Sequence, residues 1–292
     1  IFCSILSGCA PGSKSSSSEP PVYSPLRVLV PEAPGSDTLG SSPLTLDVSN
    51  ITQGYFVAQS DSADLVTSLQ ITAPTGVLYA YFIDPGENAV IPFTEGNGDY
   101  TVVGYQQIQG DQYAALYSEI LTVELENDFF PFLYPNQYVN FSPDSEASKL
   151  ALSMVSEDTT DVDALKQIYN YVVNNLTYDY DKAETVETGY LPDVDETLST
   201  KTGICFDYAA LTTAMLRSCD IPCKLQIGYT GDIKHAWIDV YIRSKGWVNN
   251  AVSFKGDSWS LMDPTFDSNS DDKEAIQEYI GDESNYTLQF TR

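Results

Sequence analysis

Positive charge is scarce in this chain: 14 Lys and Arg stand against 41 Asp and Glu, a net of -27 over 292 residues. Binding a phosphate backbone requires clustered positive charge, so nucleic acid is a poor partner and none is expected. The acidity reads as solubility and mutual repulsion at a crowded surface. No run of about 20 apolar residues occurs, which argues against an intact membrane-spanning helix. Histidine occurs once and cysteine five times. One His without a second Cys pair leaves a tetrahedral zinc site short of ligands, and no cofactor is expected. What is present is a 42% hydrophobic content, enough for two domains that each bury a core.

The first residues depart from this picture. Ile1-Phe2-Cys3-Ser4-Ile5-Leu6 reads as the tail of an apolar signal segment, running into Leu6-Ser7-Gly8-Cys9. That tetrad resembles a bacterial lipobox, in which the chain is cut before the Cys and the thiol carries a lipid. The resemblance implies lipidation at Cys9, a membrane attachment through that lipid, and a location on the extracellular face of a bacterial membrane. The chain opens on Ile1, so the front of the signal is expected upstream. With Cys3 removed and Cys9 lipidated, Cys205, Cys219 and Cys223 remain, and an odd number leaves at least one thiol free. Cys219 and Cys223 are either a small disulfide across Asp220-Ile221-Pro222 or two buried small hydrophobes.

Residues 10–43 are rich in Ser, Pro and Gly and read as a flexible tether. From 44 to 126, short β-branched and aromatic runs alternate with turn signals such as Pro74-Thr75-Gly76 and Asp84-Pro85-Gly86, the pattern of an immunoglobulin-like β-sandwich. Strands are expected at 44–48, 54–59, 65–72, 77–83, 100–107 and 114–125. Residues 127–292 switch period. Ser142-Pro143 reads as a helix start, with Ala147, Leu150, Ala151, Met154 and Val155 on one face. A second helix opens near Asp161, with Leu165, Ile168, Tyr169, Val172 and Val173 at the same spacing. A polar connection to about residue 200, a helix from Cys205 and then antiparallel strands make this half an α+β domain.

Gly203 permits a tight turn before Cys205, and Tyr208, Leu211 and Met215 repeat at helical spacing, so Cys205 sits in the first turn of a buried helix. Unpaired N–H groups and the helix dipole favour a thiolate there and leave the Cys205 N–H able to stabilise an oxyanion. Any Cys/His chemistry must use His235. It starts an alternating strand, with Ala236, Ile238, Val240 and Ile242 on one face and His235, Trp237, Asp239 and Tyr241 on the other. Asp263 ends a short apolar strand that could pair beside the His strand and fix the imidazole tautomer.

Gly-Ile-Cys-Phe-Asp-Tyr-Ala at 203–209, Gly-Tyr at 228–229, His-Ala-Trp at 235–237 and Asp-Pro-Thr-Phe at 263–266 stand in the order and rough spacing of the bacterial transglutaminase-like family. The resemblance runs over roughly residues 143–270 and implies a papain-like core. It implies Cys205 as nucleophile, His235 as base and later acid, and Asp263 as the His partner. The stretch from His235 to Asp263 is longer than the pattern, with 249–259 reading as an inserted hairpin. Trp237, Tyr208 and Asp207 are expected beside the substrate cleft.

The expected activity is acyl transfer on amide bonds of proteins or peptides through a thioester, hydrolysis favoured over cross-linking, by a monomer. The alternative is a surface binding protein that uses the sandwich around a non-catalytic second domain. Asp267, Asn269, Asp271 and Glu278 stand at calcium-loop spacing, but Asp272 replaces the Gly such a loop needs, so a solvated acidic loop is the simpler expectation.

Overall fold

The computed structural model describes residues 28–249, 252–255, 258–261 and 286–292. Its first part is two antiparallel sheets face to face. One contains β1 (Thr38–Ser41), β2 (Leu44–Asp47), β3 (Tyr55–Ser60) and β6 (Asn88–Pro92) in the order β1-β2-β3-β6. The other contains β4 (Thr67–Thr72), β5 (Leu78–Ile83), β7 (Gly98–Gln109) and β8 (Gln112–Val123) in the order β5-β4-β7-β8. Period-two burial is clean in β5, where Tyr79, Tyr81 and Ile83 point inward and Leu78 and Phe82 outward. Leu44, Leu46, Phe56, Leu69, Ile71, Tyr81, Ile91, Tyr100 and Val102 from both sheets form one core, each fully buried side chain contributing about 1.5–3 kcal/mol. This is the expected sandwich, with two strands the sequence did not announce. β1 lies inside the Ser/Gly-rich stretch read as tether, and Val28 is buried in the helical core of the second part, although most of residues 29–43 are exposed.

The second part opens with α1 (Glu146–Met154) and α2 (Asp161–Asn175). α1 starts later than Ser142-Pro143 suggests. Those residues form a turn in which the Ser142 N–H donates to Ser145 Oγ, and Ser145 becomes the N-cap residue. α2 starts as read, with the Thr160 hydroxyl accepting from the Asp163 N–H. The expected polar connection instead holds β9 (Thr177–Tyr178), α3 (Tyr180–Thr185), α4 (Val194–Thr200) and β10 (Thr202–Gly203). The Asp179 and Asp193 side chains cap α3 and α4, a signal present in the sequence but masked by the lack of an apolar stripe.

α5 (Cys205–Ser218) follows and is buried from Asp207 to Ser218, as a helix at the centre of a core must be. It lies on a sheet of β11 (Cys223–Thr230), β12 (Ile233–Ile242), β13 (Gly246–Val248) and β16 (Tyr286–Thr291), ordered β13-β12-β11-β16. β11 and β12 turn through Gly231-Asp232, where Gly231 takes φ 57°. β14 (Val252–Lys255) and β15 (Ser258–Leu261) pair only with each other among the described strands, which is the inserted hairpin. The strand leading to Asp263 was expected to pair beside the His strand; among the described strands β15 pairs with β14, while β12 pairs with β11 and, at Val240, Tyr241 and Ile242 alone, with β13.

Candidate active site

Cys205 is the first residue of α5, where its N–H has no acceptor within the helix, and its side chain is half-buried. The segment before it is fixed by a short parallel ladder, β9 to β10, in which Gly203 pairs with Tyr178 and the Asp179 N–H donates to the Gly203 carbonyl at 2.9 Å. Gly203 is in extended backbone here. Its lack of a side chain serves packing: an ideal Cβ would lie 2.6 Å from Asp207 Cβ.

Asp207 is completely buried, and Tyr208 with it, so neither is a wall of an open cleft. The Asp207 carboxylate turns back onto its own helix start and accepts the Ile204 N–H at 2.8 Å. Lys182 Nζ donates to the same carboxylate at 2.8 Å, the Tyr190 hydroxyl donates to its other oxygen at 2.6 Å, and Lys182 also donates to Tyr190 at 2.7 Å. Burial opposes the Lys182 ammonium, but Asp207 and Tyr190 outweigh it and hold the amine above its ordinary value. Burial and the bond to Asp207 push the Tyr190 phenol up to about 12.

β12 has the expected alternation. Ala236, Ile238, Val240 and Ile242 belong to the core beneath α5, and His235, Trp237, Asp239 and Tyr241 share the opposite face. His235 is buried and stands across from Gly228 of β11. Its ring stacks on Trp237 with centroids 6.2 Å apart, and the Tyr286 ring lies 5.1 Å from Trp237. Trp237 is therefore enclosed rather than lining an open cleft. Asp239 accepts from Gln226 Nε2 at 2.6 Å on the same face. The helix and strand thus bring Cys205 and His235 onto packed neighbouring elements. Asp263, the calcium-loop candidates Asp267, Asn269, Asp271 and Glu278, and Cys9 lie outside the described residues.

Cys219 and Cys223 are both free and buried, and burial pushes each thiol up to about 12, so they are packing residues at neutral pH. Arg217 passes beneath them. Its guanidinium, fully buried and pulled down to about 10 by that burial, donates to the carbonyls of Cys223, Tyr134 and Arg292. The Lys182–Tyr190–Asp207 triangle and the Arg217 peg escaped the sequence reading because their partners are scattered along the chain.

Residues 148–264 match the model of the Transglutaminase-like superfamily. A UPF0252 protein of Methanocaldococcus jannaschii is 40% identical over 62 residues, covering 20% of this chain and 18% of the relative, so the chain spans less than a fifth of that protein's length. Among solved structures, a candidate cysteine protease from Cytophaga hutchinsonii aligns over 82% of this chain and 79% of its own at 18% identity and TM-score 0.39. The periplasmic domain of TgpA from Pseudomonas aeruginosa, bound to ethylmercury, aligns over 84% and 100% at 14% identity and TM-score 0.37. The matched segment contains α5 and β12, so the part of the chain that holds Cys205 and His235 is the part similar to the transglutaminase-like superfamily.

Proposed function

We propose that this chain is a cysteine acyl-transfer enzyme acting on amide bonds of proteins or peptides, with Cys205 as nucleophile, His235 as general base and then acid, and Asp263 orienting the imidazole. The observation that carries the reading is the place of Cys205: a half-buried thiol on the first residue of a buried helix, packed on the strand that holds the chain's one His. The helix terminus favours the thiolate. The thiolate adds to the amide carbonyl, and the Cys205 N–H donates to the oxyanion. His235 passes its proton to the leaving amine as the C–N bond breaks, which leaves a thioester. Water, activated by His235, then releases the acid; an amine in its place would give a cross-link. Hydrolysis is the outcome we favour, since water needs no acceptor site beyond the base. Cys9 would hold the enzyme at the outer face of a bacterial membrane, a placement to be tested by fatty-acid labelling that must disappear in Cys9→Ser.

The deciding experiment is the rate of Cys205 alkylation by iodoacetamide against pH, read on the Cys205 peptide by mass spectrometry, in wild type and His235→Ala. Reactivity that persists well below pH 8 and is lost in the variant supports an activated pair. Reactivity that rises only near the ordinary thiol pKa of about 8.5 in both proteins sinks the enzyme reading.

A further inference from the structure

The helix that presents Cys205 contains a contradiction in charge. Its first residue is suited to a thiolate, yet two positions on, Asp207 places a carboxylate inside the protein with no exposure to solvent. A negative charge two residues along the same helix works against a thiolate at its start. The Ile204 N–H and the Tyr190 hydroxyl both donate to the Asp207 carboxylate and hold it in place. The compensation comes from α3. Lys182 Nζ forms an ion pair with the Asp207 carboxylate at 2.8 Å and lies 4.4 Å from the Tyr190 ring centroid.

The surroundings make this cation consequential. The cavity of about 300 Å³ against which Lys182 and Tyr190 lie is also lined by Asp179, Glu196, Thr197, Thr200 and Thr202, so its other charged walls are acidic. Tyr178 of β9 lies against Tyr180 and Tyr208, and His235 comes from β12. Among these charged side chains Lys182 alone is a fixed cation, in a chain with 14 basic residues against 41 acidic ones.

We propose that Lys182, locked onto the buried Asp207 carboxylate with Tyr190, is a positioning residue for Cys205: Asp207 ties the helix start in place, and Lys182 offsets the charge that Asp207 would otherwise impose on the neighbouring thiol. The pair separates two tasks. The carboxylate supplies geometry, through the Ile204 N–H, and the amine removes the electrostatic penalty that this geometry would impose on the nucleophile. This rests on Cys205 being the reactive thiol, but the coupling between the two charges is measurable whether or not the chain turns over substrate.

The experiment is the same pH profile of Cys205 alkylation in the full chain, applied to Lys182→Met, Lys182→Arg and the double variant Lys182→Met/Asp207→Asn, with thermal melting of each. Lys182→Met is expected to move the alkylation midpoint up by about one pH unit. Lys182→Arg should hold it near wild type, and the double variant should bring it back because the unpaired charge is gone. An unmoved midpoint in Lys182→Met, whatever its melting temperature, overturns the proposal. So does a double variant displaced as far as Lys182→Met, since Asp207 would then not be the source of the penalty. An ordinary thiol midpoint in wild type that ignores His235→Ala would count against the enzyme reading alone, and the displacement caused by Lys182→Met would still decide this one.

Discussion

The Trp237 ring occupies the space into which Gly228 would project a side chain: an ideal Cβ on Gly228 would lie 2.8 Å from Trp237 Cη2 and 2.1 Å from the Thr287 carbonyl oxygen. Gly228 also pairs with His235 in the β11–β12 ladder, so the glycine in the Gly-Tyr motif makes room for the aromatic wall next to the candidate base. Gly228→Ala is expected to cost about 3 kcal/mol, because the carbonyl is backbone and can yield only if β16 leaves β11. Urea denaturation checks this; stability within about 0.5 kcal/mol of wild type would show that the ladder yields without strain.

What the sequence disclosed and what it withheld divide along physical lines. Local periodicity was sufficient for α2, for α5 with Cys205 at its start, and for the two faces of β12, since each face is written in consecutive residues. Pairing between distant segments was not. β16 joins β11 from more than fifty residues away, and the strand before Asp263 pairs with β14 rather than β12, choices that depend on which chain reaches an open edge. The sequence placed Gly203, Asp207 and Tyr208 around the start of the Cys205 helix, but the structure gives the first two other roles. Gly203 gives space to the Asp207 side chain rather than bending the backbone, and Asp207 faces inward to Lys182 and Tyr190, partners 25 and 17 residues away.

Arg217 joins three segments through carbonyls alone, those of Cys223, Tyr134 and Arg292. Arg217→Met keeps the apolar stem and removes the donors, leaving buried acceptors short of partners. The expected loss is at least about 3 kcal/mol. Arg217→Lys should recover only part of it, because an ammonium lacks the planar fork that reaches several acceptors. Chemical denaturation of both variants provides the measurement, and a loss below about 1 kcal/mol in Arg217→Met would mean that water replaces the guanidinium.

Asp220 ends the turn between α5 and β11 at φ 58°. Burial raises its carboxyl to about 6, with Asp161 adding to the shift and Arg243 opposing it. A folded-state value above the unfolded one means that the folded chain holds the proton more tightly. The associated stability is full below pH 4 and is lost as pH rises through 6. Asp220→Asn, which tolerates a left-handed backbone, should flatten stability between pH 4 and 7 and exceed wild type at pH 7 by about 1 kcal/mol, a figure reduced for partial solvent access. Thermal melts across that range give the slope; parallel curves for the two proteins would contradict the assignment.

The two halves are coupled through Arg292. Its N–H and carbonyl bond Leu225 at 2.7 and 3.0 Å, at the end of the β11–β16 ladder. Its guanidinium carbon lies 4.6 Å from the ring centroids of both Tyr79 and Tyr81, 4.2 Å from that of Tyr138 and 5.3 Å from that of Phe290, and Nη1 donates to Tyr81 at 2.7 Å. A desolvated cation among aromatic rings is worth about 2 kcal/mol, and here it is anchored to one domain while the tyrosines of β5 belong to the other. Arg292→Met should therefore weaken their cooperation more than it weakens either core. In calorimetry the wild type is expected to unfold in a single transition and the variant in two, the lower one belonging to the α+β half, whose sheet loses its clamp. One sharp transition at the wild-type temperature in Arg292→Met would show that the remaining interface, including the Gln137 amide on the Phe82 carbonyl, is enough to hold the halves together.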